Sequence, residues 1–290
     1  MTPELKELEQ LLKPYKTSDK VRIGSVYDGG YILPNDVLKK VKLLLSFGVS
    51  TNFDFEKAMT YYVKELDIFM FDPFIGPIAD FSRLVKRIFK KSKVEKSNKH
   101  YNAKENKNYK GDSSLMIQIP IRLIHWIKFY LFINKQNITF KKMGVRNYSD
   151  KTFMTFCDIK NIIVKKELSN YIIKLDIEGD EYLLINDILA NSNSLEALLI
   201  EVHHVESKHQ ELIDLIQKLK NSDLYLCHIH GNNSDSLVPG TTIPNTLELT
   251  FAKSAYLTKP LKLDTSEYPV INIDSPCEPR FYDYELEFLK

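Results

Sequence analysis

Short apolar runs alternate with amphipathic stretches along most of the chain. Residues 41–47 and 68–71 are predominantly apolar, which is typical of parallel strands buried on both faces. Between them, apolar residues recur at helical spacing over residues 53–66. The same two patterns predict further strands at 138–140, 171–176, 195–202, 224–229 and 247–252, and further helices at 4–12, 181–189 and 208–219.

Strands that alternate with helices form a mainly parallel sheet with helices on both faces. Five such strands, followed by a final pair, predict an α/β fold with a seven-stranded sheet. We expect a single domain over residues 1–290, with an N-terminal extension at 1–40 and an insertion at 75–135 after the second strand.

The insertion has two parts with opposite character. Residues 86–111 contain ten Lys or Arg and two acidic residues, a local charge of +8 in a chain whose net charge is +2. Residues 115–133 are strongly apolar, and their few polar positions recur at helical spacing, which predicts an amphipathic helix with a wide apolar face. We expect this helix to pack against the domain or a second subunit, or to lie on a membrane surface.

The basic segment leaves open an alternative function, in which the protein binds or modifies nucleic acid. Few aromatic residues are interleaved with its lysines, so base stacking is poorly supported and a solvated loop is favoured, with no nucleic-acid partner expected. No uninterrupted apolar stretch has the ~18 residues that suggest a membrane span. The N-terminus lacks signal-peptide features and the three cysteines are far apart, which predicts a cytoplasmic protein, with peripheral contact at the inner membrane face as a variant.

Candidate chemistry begins at the ends of the first two strands, because ligands of open α/β sheets bind beyond the carboxyl ends of the strands. Gly48 permits close approach of a ligand to the backbone, and a carboxylate at Asp72 can accept hydrogen bonds from ribose hydroxyls. The phosphate-binding pattern G-x-G-x-x-G is absent here, which disfavours a dehydrogenase. The candidate cofactor residues in these two regions are Phe47, Gly48, Val49, Ser50, Asn52, Asp72 and Pro73.

Acidic residues and histidines follow the later strands. Asp176 and Glu178 come directly after the fourth strand, whereas Asp180 and Glu181 are explained by the start of the next helix. Four of the seven histidines lie near the ends of strands five and six, at 203, 204, 228 and 230, and Glu201 precedes the first pair. Histidine acts as a base near neutral pH or binds a metal, so this edge of the sheet is a candidate reaction site.

Four runs together resemble the FkbM-like family of S-adenosylmethionine-dependent methyltransferases. They are Asp-Gly-Gly-Tyr at 28–31, Ser-Phe-Gly-Val at 46–49, Phe-Asp-Pro at 71–73, and Lys-Leu-Asp-Ile-Glu-Gly at 174–179 followed by Glu181. The resemblance covers residues ~20–75 and ~137–255. It implies a Rossmann-like class I methyltransferase fold, S-adenosylmethionine as cofactor and methyl transfer, usually to oxygen. The cofactor-binding residues that it adds are Asp28, Gly29, Gly30, Gly144 and Asp176.

A catalytic hypothesis follows from these residues. We expect Asp176, Glu178, His203 and His230 to position and deprotonate an acceptor hydroxyl. In a variant, a divalent cation such as Mg²⁺ binds Asp176, Glu201 and His203 and holds the acceptor oxygens. The acceptor is expected to be a small molecule or a sugar-type glycan precursor in bacterial surface-polysaccharide biosynthesis, because the Lys-, Asn- and Ile-rich composition suggests an AT-rich bacterial genome. A non-catalytic scaffold with a cofactor fold is a further alternative.

Overall fold

One central sheet organises the molecule. The computed structural model describes residues 2–50, 52–76, 115–163 and 169–290, with the side chains of 115–120 left aside. In chain order, the elements of these residues are α1 (Pro3–Leu11), β1 (Lys20–Gly24), β2 (Gly30–Pro34), α2 (Asn35–Leu38), β3 (Leu43–Phe47), α3 (Asp54–Tyr62), β4 (Asp67–Phe71), α4 (Leu115–Ile133), β5 (Ile138–Lys141), β6 (Gly144–Val145), β7 (Phe153–Met154), α5 (Phe156–Ile163), β8 (Tyr171–Leu175), α6 (Glu181–Leu189), β9 (Leu195–Val202), α7 (Val205–Asn221), β10 (Leu224–Gly231) and β11 (Leu247–Lys253).

The central sheet has seven strands in the order β10-β11-β9-β8-β3-β4-β5. β5, β4, β3, β8 and β9 are parallel, whereas β11 runs antiparallel to both of its neighbours. The predicted seven-stranded, mainly parallel Rossmann-like fold is therefore confirmed. The chain moves outward from β3 to β4 on one side and resumes with β8 on the other, so the point where strand order reverses lies between β3 and β8.

Two apolar layers cover the sheet. On one face, α1, α5, α6 and α7 contribute to a core that includes the strand residues Phe47, Ile173 and Ile200. On the other face, the β1–β2 hairpin, α3 and α4 enclose a second core. Because successive side chains of a strand point to opposite faces, Ser46 and Lys174 lie on the hairpin face.

The first forty residues contribute to both layers. Leu8 of α1 is fully buried in the helical layer. The hairpin lies over β11, where the hydroxyl of Thr250 donates to the carbonyl oxygen of Ile32 at 2.7 Å. The run at 28–31 lies at the turn between these two short paired strands, where Gly29 has a φ of 83°.

Several element boundaries differ from the predicted ones. α3 ends at Tyr62 because Val63 has extended backbone angles, although apolar spacing continues to residue 66. α7 begins at Val205, earlier than predicted, and contains a non-helical residue at Lys208. The short strands β6 and β7 and the helix α5 had no clear periodic signal.

The predicted helix at 115–133 is present as α4. Trp126, Phe129 and Phe132 are buried, and Phe129 meets Phe53 edge to face with ring centroids 5.4 Å apart. The opposite side of the helix exposes large apolar side chains at Ile121, Leu123, Ile124, Ile127, Tyr130 and Leu131. Contact with a second subunit or a membrane surface stays a prediction, and the basic segment 86–111 lies outside the described residues. Among the helices of the described residues, none is long and apolar enough to cross a bilayer.

Replacing Leu8 with alanine tests whether α1 is part of the domain core. Leu8 is fully buried, so Leu8→Ala is expected to lower the free energy of unfolding by about 2–5 kcal/mol in urea titrations. The exposed neighbour Lys6 provides the control, and Lys6→Ala is expected to change stability by less than about 0.5 kcal/mol. Equal, small effects of both substitutions would mean that α1 is only loosely attached.

Candidate active site

The C-terminal ends of β3, β4 and β8 meet at the point where strand order reverses. We call each such end, with the loop that follows it, the exit of the strand. The amide of Gly48 donates to the carbonyl oxygen of Phe71 at 3.0 Å, and the amide of Asp176 donates to that of Phe47 at 3.1 Å. These backbone bonds hold the predicted cofactor residues of β3 and β4 beside the predicted catalytic residue of β8.

Gly48 allows two of these exits to come into contact. Its φ of 77° lies in the left-handed region, and a β-carbon there would lie 1.5 Å from the carbonyl oxygen of Asp176. Any other residue would force the two loops apart. The side chains of the neighbouring residues Phe47 and Val49 are buried in the cores on opposite faces of the sheet.

The carboxylate of Asp72 is held in a fixed orientation. One oxygen accepts from the amide of Ser50 and the other from the amide of Phe74, each at 2.7 Å. Asp72 is 6% exposed. A carboxylate oxygen has two acceptor sites, so each oxygen retains one for a further donor. The adjacent Pro73 packs near Gly144, where a β-carbon would lie 3.0 Å from the proline ring.

The turn of the β1–β2 hairpin lies against the loop that follows β3. The amide group of Asn52 donates to the carbonyl oxygen of Asp28 at 2.6 Å. Gly29 has a φ of 83°, and a β-carbon there would lie 2.3 Å from the Asn52 side chain. Beyond Gly30, the hydroxyl of Tyr31 donates to an oxygen of Asp176 at 3.4 Å. The glycine turn, Asn52 and Asp176 therefore lie close together, as residues of one binding site must.

A buried lysine lies beneath this edge. Lys174 is 3% exposed, and its ammonium group donates to the carbonyl oxygen of Gly48 at 3.1 Å. Carboxylate oxygens of Glu56 and Asp176 each lie 3.9 Å away. Burial alone would lower the pKa of Lys174, but the charges of Glu56 and Asp176 outweigh it and raise that pKa. The lysine is therefore charged and balances part of the surrounding acid.

Among the residues that the structure describes, carboxyl groups outnumber cations at this edge of the sheet. Burial, together with the charges of Asp176 and Glu248, raises the pKa of Glu201 well above its ordinary value. The amide of Asn232 donates to one Glu201 oxygen at 2.7 Å. At the hairpin turn, removal of water by the surrounding protein and the charges of Glu248 and Asp176 raise the pKa of Asp28 to about 6. This edge therefore favours positively charged ligand groups and disfavours phosphates.

His203 is oriented by a buried carboxylate. Its Nδ1 lies 3.0 Å from an oxygen of Glu181, and this oxygen also accepts from the amides of Ile177 and Gly179 at 3.2 and 2.9 Å. When Nδ1 donates its proton to Glu181, Nε2 carries the free lone pair, which points away from Glu181. An oxygen of Glu178 lies 3.7 Å from Nε2 on that side. This arrangement suits a histidine base that is held in one tautomer.

The pKa values of this pair respond to each other. Burial would lower the pKa of His203, but its hydrogen bond to Glu181 and the charges of Glu181 and Asp176 outweigh burial and raise it. Burial would likewise raise the pKa of Glu181, but the hydrogen bond and charge of His203 lower it. The folded state therefore favours the charged pair.

Three side chains at this edge have the spacing of a metal site. The ligand atoms of Asp176, Glu201 and His203 all lie within 4.8 Å of one another. This is the set predicted from the sequence for a divalent cation. The side chain of Glu178 is 87% exposed beside it, and the backbone of that residue has a positive φ of 62°.

His230 lies apart from His203 in a second cluster. Its Nδ1 lies 2.8 Å from an oxygen of Glu248, and its Nε2 lies 2.9 Å from an oxygen of Asp283. The side chain is buried, and both ring nitrogens are occupied by carboxylate partners. His228 is similarly paired, with Nε2 2.9 Å from Asp274. The partners Asp274 and Asp283 belong to the C-terminal segment 254–290, whose packing over β10 had no sequence signal.

Sequence reasoning missed four residues of the site. Glu181 was explained by the helix start, yet it is fully buried and orients His203. Lys174 had a detectable signal, since lysine is rarely fully buried and here it interrupts an apolar strand. Tyr31 was quoted only as part of a motif, and Asn232 had no signal because its role depends on the pairing of β9, β11 and β10.

Comparisons with known proteins identify only loose likenesses. No family model and no curated protein sequence matches the chain. Among solved structures, the chain is similar to one from the fibrillarin/Nop5p complex, with 11% identity, a TM-score of 0.36, and coverage of 80% of this chain and 91% of that one. It is also similar to a precorrin-6y C5,15-methyltransferase from Geobacter metallireducens, with 9% identity, a TM-score of 0.31, and coverage of 75% of this chain and 86% of that one. A predicted O-methyltransferase from Agrobacterium tumefaciens is similar with 10% identity, a TM-score of 0.28, and coverage of 77% of this chain and 81% of that one. Similarities this distant do not identify a ligand or a reaction.

Replacing Glu181 with glutamine is expected to lower the pKa of His203. Glutamine keeps a carbonyl oxygen for the backbone amides but removes the charge that favours the imidazolium. NMR titration of the His203 ring measures the change, and the half-buried His209 of α7 serves as the control resonance. An unchanged His203 pKa would contradict the pairing.

The same pair predicts how stability depends on pH. Because the pKa of His203 is raised in the folded protein, its contribution is fully present below the unfolded-state value of about 6.5 and is lost as pH rises through the folded value. In urea titrations across this interval, the wild type is expected to lose more stability than Glu181→Gln does. Parallel pH curves for the two proteins would exclude this contribution.

Proposed function

We propose that the chain is an S-adenosylmethionine-dependent methyltransferase that methylates a hydroxyl group. The observation that carries the proposal is the carboxylate of Asp72 beside the glycine exit of β3, at the point where strand order reverses. A carboxylate at this place in an open α/β sheet is suited to the hydroxyls of a ribose.

The residues of the edge fit this cofactor chemically. Asp72 retains one acceptor site on each oxygen for the two ribose hydroxyls. Gly48 and Ser50 would hold the methionine end, and Gly144 would lie near the adenine. The excess of carboxyl groups around Asp28 and Asp176 complements a ligand with sulfonium and ammonium charges and would repel the pyrophosphate of a dinucleotide. When bound, this cofactor supplies an activated methyl group on a sulfonium.

In this proposal, His203 removes the proton of the acceptor hydroxyl. Its Nδ1 is committed to Glu181, which leaves Nε2 as the basic nitrogen. Asp176 lies within the same group of ligand atoms and would position the acceptor, with Glu178 at the exposed rim. We do not extend this role to His230, because both of its nitrogens have carboxylate partners.

A divalent cation such as Mg²⁺ forms a variant of the same proposal. Asp176, Glu201 and His203 would hold it, since their ligand atoms lie within 4.8 Å of one another. Oxygen-rich sites with one histidine accept several divalent metals. A bound cation would orient acceptor oxygens, and its charge would oppose the burial and the neighbouring carboxylates that raise the pKa of Glu201.

The acceptor class and the partners are proposed more broadly. Membership of the FkbM-like family and a sugar-type acceptor from polysaccharide biosynthesis rest on the sequence runs at 28–31, 46–49, 71–73 and 174–179. The exposed apolar side of α4 supports a homo-oligomer or a membrane-surface contact at the inner face. The nucleic-acid alternative rests on 86–111 alone, and the acidic character of the site does not favour it.

Asp72→Asn is expected to weaken cofactor binding. The isosteric amide loses the charge and one acceptor oxygen, which corresponds to about 3 kcal/mol, or ~100-fold in Kd, for two hydrogen bonds to a charged group. Isothermal titration calorimetry with S-adenosylhomocysteine measures the change. The exposed Asp187 of α6 provides the matched control, and Asp187→Asn should bind like the wild type. Equal affinity of Asp72→Asn and Asp187→Asn would contradict the ribose assignment.

His203→Gln is expected to retain cofactor binding and lose about 10²–10⁴-fold in turnover, since removal of a general base has effects of this size. Transfer of a radiolabelled methyl group to a panel of nucleotide sugars and phenols measures it. His204→Gln is the matched control, because His204 is the adjacent histidine and is exposed. Turnover of the wild type should rise with pH through the raised pKa of His203, and the rise should shift to lower pH in Glu181→Gln. A profile that Glu181→Gln leaves unchanged would exclude His203 as the base.

A further inference from the structure

A second group of metal-ligating side chains lies on the same sheet face, next to the proposed active site, since Glu248 is the cross-strand partner of Glu201. His230 belongs to β10, Glu248 to β11 and Cys277 to the C-terminal segment 254–290. They are 2%, 6% and 7% exposed, respectively. Their ligand atoms all lie within 4.8 Å of one another.

The distances between donor atoms approach those of a tetrahedral metal site. Nδ1 of His230 lies 3.9 Å from the sulfur of Cys277, which lies 3.5 Å from Oε1 of Glu248. Oε2 of Glu248 lies 2.8 Å from Nδ1 of His230. Bonds of about 2.0–2.3 Å from zinc to nitrogen, oxygen and sulfur place neighbouring ligand atoms about 3.3–3.7 Å apart. Only the distance between Nδ1 of His230 and Oε2 of Glu248 must increase on metal binding, by about half an ångström.

The surroundings of His230 also match those of a metal ligand. Ligating histidines generally donate their other ring N–H to a carboxylate or carbonyl, which fixes the tautomer. Here Nε2 of His230 lies 2.9 Å from Asp283. One oxygen of Glu248 faces His230 and the other faces Cys277, so the carboxylate can bind an ion between them through either oxygen or through both.

We propose that His230, Glu248 and Cys277 bind a structural zinc ion that fastens the C-terminal segment to the edge of the sheet. A mixed set of nitrogen, sulfur and oxygen donors suits zinc better than magnesium or calcium, which prefer oxygen alone. The low exposure of all three ligands suits a structural ion and not one that binds substrate.

Zinc binding requires that its ligands lose protons, which are released to solvent. The thiol of Cys277 becomes a thiolate, and His230 coordinates as the neutral imidazole with its remaining proton on Nε2. When His230 starts as an imidazolium, the exchange of two protons for one divalent ion leaves the buried charge unchanged. No oxidation or reduction is involved.

The backbone beside Cys277 is already fixed to β10's exit. The amide of Glu278 donates to the side-chain oxygen of Asn233 at 2.7 Å, and the side-chain amide of Asn233 donates to the carbonyl oxygen of Glu278 at 3.0 Å. This pair of hydrogen bonds positions Cys277 over the sheet. The ligands therefore come from three chain segments that folding brings together, so the zinc would stabilise the folded state.

Cobalt substitution of the full-length protein tests the proposal. After chelator treatment and addition of Co²⁺, we expect about one equivalent of tightly bound metal and a near-ultraviolet thiolate-to-cobalt band. The band should be lost in Cys277→Ser and retained in Cys157→Ser, whose cysteine is exposed and far along the chain. Chelation should lower the melting temperature of the wild type and Cys157→Ser by about 5 °C or more, and leave Cys277→Ser unaffected.

Zinc-edge X-ray absorption of the wild type gives a test that does not depend on a variant's folding. We expect one sulfur at about 2.3 Å together with nitrogen or oxygen ligands at about 2.0 Å. A protein that binds no zinc, or binds it through nitrogen and oxygen alone, would overturn the proposal. The second outcome would place the ion at Asp176, Glu201 and His203, and that site is tested separately by Glu201→Gln, which should leave the thiolate band intact.

Discussion

Burial of the Lys174 ammonium group constrains how the residues at the C-terminal ends of the strands are arranged. A charge enclosed by protein is costly unless it has close partners of opposite charge and hydrogen-bond acceptors. Lys174 obtains them from three directions, with Glu56 on α3, Asp176 at the exit of its own strand and the carbonyl of Gly48 at the exit of β3. One ammonium group thus ties together the helix, the glycine loop and the acidic edge.

The β1–β2 hairpin completes this arrangement from above. The Tyr31 ring lies 5.4 Å from the Lys174 ammonium nitrogen, and its hydroxyl reaches Asp176. With the hairpin in place, water is excluded from several carboxyl groups, and their mutual repulsion is left only partly balanced by Lys174. This is why the pKa values of Asp28 and Glu201 are raised. Carboxyl groups in this state are suited to a cationic ligand group, and the proposed cofactor offers two.

The fold was predictable from the sequence to a greater extent than the site. Buried parallel strands require nearly continuous apolar runs, so β3, β4, β8 and β9 were visible as patterns, and their alternation with helices fixed a parallel sheet. Residues at strand exits were also predictable, because topology alone brings Gly48, Asp72 and Asp176 to one edge. The local pattern could not show which side chain would cover which strand.

His203 and His230 illustrate this limit. Both follow apolar strands, and both are close to acidic residues in the sequence or across the sheet. Their difference arises from long-range contacts: Glu181 holds His203 at the open edge, whereas Asp283 of the C-terminal segment encloses His230. The segment 254–290 has little regular structure, so its sequence has no periodic pattern from which its packing over β10 could be predicted. These different tertiary contacts are the basis on which we propose separate roles for the two histidines.

A crystal structure of the protein with S-adenosylhomocysteine is the decisive measurement for the proposed cofactor site. We expect both ribose hydroxyls to lie within hydrogen-bond distance of the Asp72 carboxylate, with the sulfur facing the edge formed by Asp176 and His203. A ligand bound elsewhere, or one whose sulfur faces away from Asp176 and His203, would exclude the proposed site.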